Sequence, residues 1–431
     1  MDFKNLPPVK EQIMKCVRCG KCRSVCPVFA ELRYESAAPR GHVFMVQMLR
    51  DGVVKPSEEV SKRLTHCLMC ENCSANCPSG IDIHELNAAA RSYIEQKNPS
   101  IGKELLFDTL WTKPSLLNLS TSLMWGAQKA GLQKLARYTG LTKLLPGSLP
   151  QAEKILEAVP LRNARSMIPE INPARCEREY KIGYFLGCAT DLLYPDIALA
   201  AIEVLTNNGC EVIVPRHSKC CGLPHIANGK LETAQSLAIH NCQIYNAYDF
   251  DYIITDCGSC SSALSAKNMH FLLGQTEHAQ AGEIFAAKVM DLSKFLIDVL
   301  DISFPVNHNA KPITVTYHDP CHLANAQKIK DQPRELLRRI PGVKLAEMSD
   351  TNYCCGGSGT YSITHYQTSM KILDKKMAMI KLTGAETVAT CCPSCTMQLN
   401  YGIRKHNMKC SVVHPIQLAR EASKKKAVHS A

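Results

Sequence analysis

No stretch of about 18 apolar residues occurs in the 431-residue chain, so no membrane-spanning helix is expected. The opening segment, MDFKNLPPVKEQIMK, lacks the apolar h-region of a secretory signal. That predicts a cytoplasmic protein whose thiols stay reduced or bound to metal. No dinucleotide fingerprint is present, so any flavin is expected on a partner chain. Dense basic runs are also scarce: the formal net charge is +11, yet only Lys424, Lys425 and Lys426 form a run of three. A nucleic-acid groove is therefore not expected, and the basic balance reads as a solvated surface or a docking face for a membrane or partner. Tryptophan is rare, with Trp111 and Trp125 the two copies.

Cysteine is the opposite case. The chain carries 23, far more than an intracellular enzyme of this length normally uses. A secreted disulfide framework explains them poorly, because such frameworks belong to short chains that cannot bury an ordinary core. The cysteines fall into blocks: eight between positions 16 and 77, none from 78 to 175, and fifteen from 176 onward.

The first block reads Cys16-x2-Cys19-x2-Cys22-x3-Cys26-Pro27 and repeats as Cys67-x2-Cys70-x2-Cys73-x3-Cys77-Pro78. This is the bacterial ferredoxin run twice over. Three closely spaced thiolates grip three corners of a cubane [4Fe-4S] cluster, and the proline turns the fourth cysteine toward the other cube. One cluster is thus expected on Cys16, Cys19, Cys22 and Cys77, and a second on Cys67, Cys70, Cys73 and Cys26. A pair of zinc sites does not explain the proline after each fourth cysteine. The 40 residues between Cys26 and Cys67 exceed a hairpin connection. Gly41 to Arg50 and Ser57 to Thr65 have helical composition, with Ser57 as an N-cap, so a helical ferredoxin domain is predicted.

Residues 96–175 read as a helical connector broken by Pro114, Pro146 and Pro150. Its tryptophans stand among Leu116, Leu117, Leu119, Leu123 and Met124, with Lys113, Lys129 and Lys134 interleaved. This pattern suits packing on the C-terminal half, or a surface that lies on a membrane or docks a partner. From residue 181 apolar strand-like runs alternate with helical ones. Strands are predicted over Lys181 to Leu186, Glu211 to Val214, Tyr252 to Thr255, Ile313 to Tyr317, Val343 to Ala346 and Thr387 to Ala389. Helices are predicted over Asp196 to Asn207, Leu231 to Tyr245 and Gln367 to Leu382. The alternation implies largely parallel sheets.

This half also repeats itself. Cys188, Cys220-Cys221-Gly222 and Cys257-x2-Cys260 recur as Cys321, Cys354-Cys355-Gly356 and Cys392-x2-Cys395, at offsets of 133, 134 and 135. So steady a register implies duplication of one α/β unit. In an open sheet the carboxyl ends of the strands meet at one crevice, where five thiols can converge. Gly222 and Gly356 would let the backbone turn close to a bulky cofactor, and adjacent cysteines suit a cluster better than a single zinc.

The paired signature resembles the cysteine-rich CCG domains of heterodisulfide reductase catalytic subunits, in which each complete set holds a noncubane [4Fe-4S] cluster. The whole chain resembles the iron-sulfur subunit of glycolate oxidase and related 2-hydroxyacid dehydrogenases. Supporting runs are Pro39-Arg40-Gly41, GCEVIVP at 209–215, VTYHDPCHL at 315–323, QPREL at 332–336 and VHP at 413–415. The resemblance implies an electron-transfer subunit. A partner FAD dehydrogenase oxidises glycolate or lactate, and electrons pass through two cubane and two noncubane clusters to a quinone or another carrier at the inner face of the membrane. Both five-cysteine sets are intact, as in the heterodisulfide reductase type, which supplies an alternative: reduction of a disulfide at paired noncubane clusters.

The expected architecture is α+β multidomain: a ferredoxin domain at 1–95, the connector at 96–175, and CCG repeats at 176–305 and 306–431. Cys176, Cys210, Cys242, Cys391 and Cys410 remain unassigned. Cys210 and Cys242 read as small core residues, and Cys391, beside the second CxxC, is a candidate for a substitute ligand whose role the sequence leaves open. His318, Asp319 and His322 around Cys321, and His225 after the first CCG, are candidates to relay protons or to hydrogen-bond cluster sulfurs. Asp319 equally suits a structural cap. The Gly356 to Gly359 run lacks the Lys-Ser/Thr of a phosphate loop and reads as part of the cluster-binding loop.

Overall fold

The computed structural model describes residues 7–144, 148–305 and 311–424. Pro146 and the basic residues Lys425 and Lys426 lie outside these segments. The N-terminal part is a helical bundle built from Pro7–Met14, Pro39–Arg50, Glu58–Thr65 and Ile83–Lys97. Val9, Ile13, Val43, Val46, Leu49, Val60, Leu64, Leu86 and Ile94 form its core. Local chemistry sets the helix starts. Ser57 Oγ accepts from Val60 N, Asp82 accepts from Glu85 N at 3.1 Å, and Pro39 presets φ at the first turn. The Pro39 helix therefore begins two residues before the predicted Gly41.

The C-terminal half contains two parallel sheets. In the first, β1 (Ile171–Asn172), β2 (Tyr180–Tyr184), β3 (Cys210–Ile213), β4 (Tyr252–Thr255) and β5 (Val289–Asp291) lie in the order β1-β3-β2-β4-β5, with β1 antiparallel to β3. In the second, β6 (Ile313–Tyr317), β7 (Val343–Leu345), β8 (Thr387–Ala389) and β9 (Ser411–Val413) lie in the order β7-β6-β8-β9, all parallel. Four strands of each sheet thus correspond, as duplication requires. The sequence reading missed β1, β5 and β9, short strands at the sheet edges, while the equally short β7 and β8 were found.

The repeats are separate in topology and fused in packing. One core joins Phe185, Ile226, Leu237 and Tyr245 to Met370, Leu373, Met377 and Leu399. The other joins Ile182, Tyr184, Leu205 and Val212 to Val315, Tyr317, Leu336 and Ile416. The last helix, Pro415–Lys424, packs against Pro195–Asn207 of the first repeat. At roughly 1.5–3 kcal/mol per fully buried large apolar side chain, neither repeat keeps its core without the other.

The connector is anchored at both ends and exposed in between. Toward its N-terminal end Phe107 is buried, its carbonyl accepts from His225 Nε2 at 2.9 Å, and Trp111 stacks on its ring. Toward its C-terminal end Ile155 and Val159 are buried, Arg404 donates to Ile155 O at 3.1 Å, and Arg165 N donates to Asp191 Oδ1 at 2.8 Å. The helices Pro114–Lys129 and Leu132–Tyr138 bury no side chain and leave Leu119, Leu123, Leu132 and Leu135 exposed. Among the described residues no helix is long and apolar enough to cross a membrane.

Candidate metal centres

Each ferredoxin loop turns twice through the left-handed region, at Arg18 and Gly20 in the first and at Met69 and Glu71 in the second. These turns aim the thiols of each CxxCxxC to one side. Cys16, Cys19, Cys22 and Cys77 line one cavity. Cys67, Cys70, Cys73 and Cys26 line another, and Ile83 lines both. The two differ in surroundings. The first includes the exposed Cys19 and is bordered by Arg18, Lys21 and Arg40. The second is deeper and is bordered by His42 and His84. Burial pushes the Cys26 thiol up to about 12 and raises Cys70 and Cys73 well above the ordinary range. Such thiols deprotonate only when a cation compensates the charge, as a metal does.

The ten cysteines of the two repeats form an unbroken series. Cys188 lies 3.9 Å from Cys220. Contacts between thiols then lead through Cys221 and Cys260 to Cys257. Cys257 and Cys392 belong to one buried cluster across the repeat interface and shift each other's titration, and the series continues through Cys395, Cys355 and Cys354 to Cys321. Hydrogen bonds from Cys220 and Cys260 pull Cys221 down to about 5, and those from Cys354 and Cys395 pull Cys355 down likewise. Gly222 and Gly356 follow these residues with φ of 88° and 81°. A Cβ at Gly356 would also stand 2.6 Å from Ser369 O, so any side chain is excluded there.

The second ferredoxin set and the second repeat share a cleft. Cys26, Cys70, Cys321 and Cys354 line it with Asn72, Asn325 and Asn352. The first repeat's set faces the connector instead, where Trp111, Pro114 and Leu117 border Cys188 and Cys220. The ferredoxin domain is held to both repeats. Arg91 donates to Ala227 O at 2.5 Å and to Leu64 O and Cys67 O at 2.7 and 2.8 Å. Lys267 pairs with Glu71 at 2.6 Å and with Asp82. Asn325 donates to Cys70 O and Ser358 to Leu68 O.

The candidate acid–base residues divide by role. His318 is buried, with one ring nitrogen within 4.8 Å of the Cys355 and Cys395 thiols. Burial and then Lys376 lower it to about 3, so it is neutral at physiological pH. Burial raises the Asp319 carboxyl, but the Arg334 fork, at 2.8 Å to both oxygens, outweighs this and holds it below the usual range. Both Asp319 oxygens are thus engaged by Arg334, the arrangement of the structural alternative. His322 bridges the domains, with Nε2 at 2.9 Å from Met69 O and Nδ1 at 3.3 Å from Ser259 Oγ. His225 is committed to Phe107. Cys391 packs with Tyr317 in the core opposite the one that holds Cys392, because neighbouring residues leaving a strand point to opposite faces. It is a core residue here and not a substitute ligand. Cys210 and Cys242 are buried in the two cores as expected.

His42, His84, Glu71, Lys267 and Arg91 escaped the sequence reading. The one local signal is Arg91, a charge after the small run Ala88 to Ala90 on an otherwise buried helix.

Three family models match the chain. A 4Fe-4S dicluster domain covers residues 12–81, the linker region of the glycolate oxidase iron-sulfur subunit covers 99–156, and a cysteine-rich domain matches twice, at 182–265 and 315–400. A probable glycolate oxidase iron-sulfur subunit from Bacillus subtilis (strain 168) is 32% identical over 424 residues, 96% of this chain and 94% of that one. A fumarate reductase (CoM/CoB) subunit from Methanothermobacter marburgensis is 27% identical over 405 residues, 92% and 70% of the respective chains. Lactate utilization protein A from Exiguobacterium sp. is 29% identical over 244 residues, 56% of this chain and 98% of that one.

Proposed function

The chain belongs to the glycolate oxidase iron-sulfur subunit family, and is thus a subunit of an oxidoreductase; from that premise we propose that it carries electrons from a partner FAD dehydrogenase, oxidising glycolate or lactate, to a quinone or another acceptor. The observation that carries this reading is the single file of cysteine sets. Ile83 borders both ferredoxin cavities, the second ferredoxin set shares a cleft with the second repeat, and Cys257 and Cys392 lie in one buried cluster between the repeats.

Cys16, Cys19, Cys22 and Cys77 would hold one cubane and Cys26, Cys67, Cys70 and Cys73 another. The sets Cys188, Cys220, Cys221, Cys257, Cys260 and Cys321, Cys354, Cys355, Cys392, Cys395 would hold one noncubane cluster each. The donors fit these groups: each set is all thiol, and buried thiols of raised pKa need a cation to ionise. Bound clusters supply reversible one-electron chemistry at potentials set by charge, hydrogen bonding and burial. The chain's own residues arrange that environment. Trp111 covers Cys188 against water, Gly222 and Gly356 keep the backbone clear, and neutral His318 offers a hydrogen bond beside Cys355 and Cys395. The exposed leucines of the connector, flanked by Lys129 and Lys134, suit a flavoprotein or membrane contact.

A second reading is reduction of a disulfide, in which two electrons and two protons convert it to two thiols. The burial of Cys257 and Cys392 in one cluster between the repeats and the similarity to the fumarate reductase (CoM/CoB) chain favour it. Purification from the native host separates the two. The first predicts a co-purifying flavoprotein, about 16 Fe per chain, and dye reduction with glycolate or lactate. Disulfide turnover without a flavoprotein would replace it with the second.

A further inference from the structure

We propose that His42 and His84 each donate a ring N–H to the sulfurs of the cubane assigned above to Cys26, Cys67, Cys70 and Cys73, and thereby raise its reduction potential. The inference rests on that assignment and deepens it. Both rings line the cavity with those four cysteines, and both are 2% exposed. Among the described residues neither nitrogen of either ring completes a hydrogen bond. Folded proteins rarely leave buried polar groups unpaired, so two such rings at one cavity call for an acceptor inside it.

Nearby groups do not supply that acceptor. The Asn87 amide and the Ser36 backbone lie near His42 without reaching hydrogen-bond geometry. Glu71 and His322 each bring one atom within 4.8 Å of a His84 nitrogen. Lys267 holds Glu71 through Oε2, while Oε1 makes no hydrogen bond to His84, and His322 is held by Met69 O and Ser259 Oγ. An imidazole carries at least one N–H donor in either protonation state, which supplies one hydrogen bond per ring. Reduction adds negative charge to the cluster sulfurs, so such a bond strengthens in the reduced state and lifts the potential. No histidine lines the first cavity, where Arg18, Lys21 and Arg40 stand instead. The first cubane is therefore an internal control.

The test is an EPR-monitored redox titration of the full loaded chain, with the second cubane identified as the signal lost in Cys73→Ser. His42→Leu and His84→Leu should each raise its oxidised-to-reduced ratio at fixed potential about tenfold, a drop of ~59 mV for a one-electron couple. The first cubane should not move. His42→Gln and His84→Gln, which keep an N–H donor, should recover part of the shift. In the unaltered protein, 15N-histidine labelling should give a hyperfine coupling to the reduced second cubane. Unmoved midpoints in both leucine variants, or no 15N coupling, would overturn the proposal. So would a divalent ion beyond the cluster iron that His84→Leu removes at constant midpoint, since His84 would then belong with Glu71 and His322. A wild-type protein with no second cubane would overturn the ligand assignment and this inference together.

Discussion

In the first repeat Tyr184 donates to the Asp256 carboxylate at 2.9 Å, and Asp256 immediately precedes the CxxC. In the second repeat the corresponding Tyr317 packs with Cys391, which holds the same place before its CxxC. The residue after each tyrosine differs too: Phe185 in one repeat, His318 in the other. Each last strand leads into a capped helix, with Asp291 accepting from Ser293 N at 2.9 Å and His414 Nδ1 accepting from Ile416 N at 3.1 Å. Duplication has thus preserved the five thiols, the CCG turn and the sheet order, while the residues around them diverged. The second set gained a neutral imidazole and a cleft shared with the ferredoxin domain; the first gained a cover from the connector. The ten-thiol series consequently has two unlike ends, which an electron carrier needs if flow is to have an entry and an exit.

The strongest break of that comparison is removal of a shared ligand. Cys221→Ser and Cys355→Ser should each lower iron by about a quarter, ~4 Fe per chain, and erase a different noncubane EPR signal while both cubane signals remain. Loss of one common signal in both variants would show that the repeats hold a single joint centre.

Both repeats dock the ferredoxin domain through a lysine: Lys267 of the first pairs with buried Glu71 and partly buried Asp82, and Lys375 of the second pairs with Glu31, beside neutral donors such as Asn325. Lys267→Met strands two carboxylates and should destabilise the protein by about 3 kcal/mol. Asn325→Ala should cost about 1 kcal/mol. Thermal unfolding with limited proteolysis ranks the two, and equal costs would show that the ion pair contributes no more than the neutral hydrogen bond.

The capping residues predict opposite pH dependence. Burial raises Asp291 to about 6, so the stability its protonated form contributes is present near pH 4 and is lost as pH rises toward 6. Burial lowers His414 to about 4, so its contribution is present above about pH 6.5 and is lost as pH falls toward 4. Each effect is on the order of 3 kcal/mol across its window. Asp291→Asn should gain on the unaltered protein as pH rises, and His414→Asn as pH falls. Chemical denaturation at a series of pH values reads both, and parallel curves would refute the assignment.

The smallest expected change sharpens the contrast at the sites. His318→Phe should lower the potential of the second repeat's centre without loss of iron, and Phe185→His should raise that of the first. Redox titration of each EPR signal checks the pair.

Much of this was legible in the chain because spacing encodes it. Ligand runs such as Cys16 to Cys26 are local, and the 133–135 offset carries the duplication without reference to contacts. Longer strands such as β2 and β6 are rich in aromatic and β-branched residues, and the cap at Ser57 is a local hydrogen bond. The three-residue strands β5 and β9 were not legible, since their pairing comes from a neighbouring strand and not from their own pattern. Asp319 illustrates the same limit at the site. Its place beside Cys321 suggested proton chemistry, and Arg334, fifteen residues on, engages both its oxygens.

The sequence by itself determined which thiols belong to which set, that two ferredoxin loops precede two copies of one α/β unit, and which family the chain resembles. Ligand spacing and internal repetition are one-dimensional properties, fixed by covalent order. Only the tertiary structure decided that the repeats share two cores, that the second repeat's cysteine set and not the first's shares a cleft with the ferredoxin cysteines, that Cys391 turns away from the second CxxC, and that His42 and His84 meet at one cavity. Those outcomes depend on which surfaces bury each other, and packing between residues tens to hundreds of positions apart leaves no periodic trace along the chain.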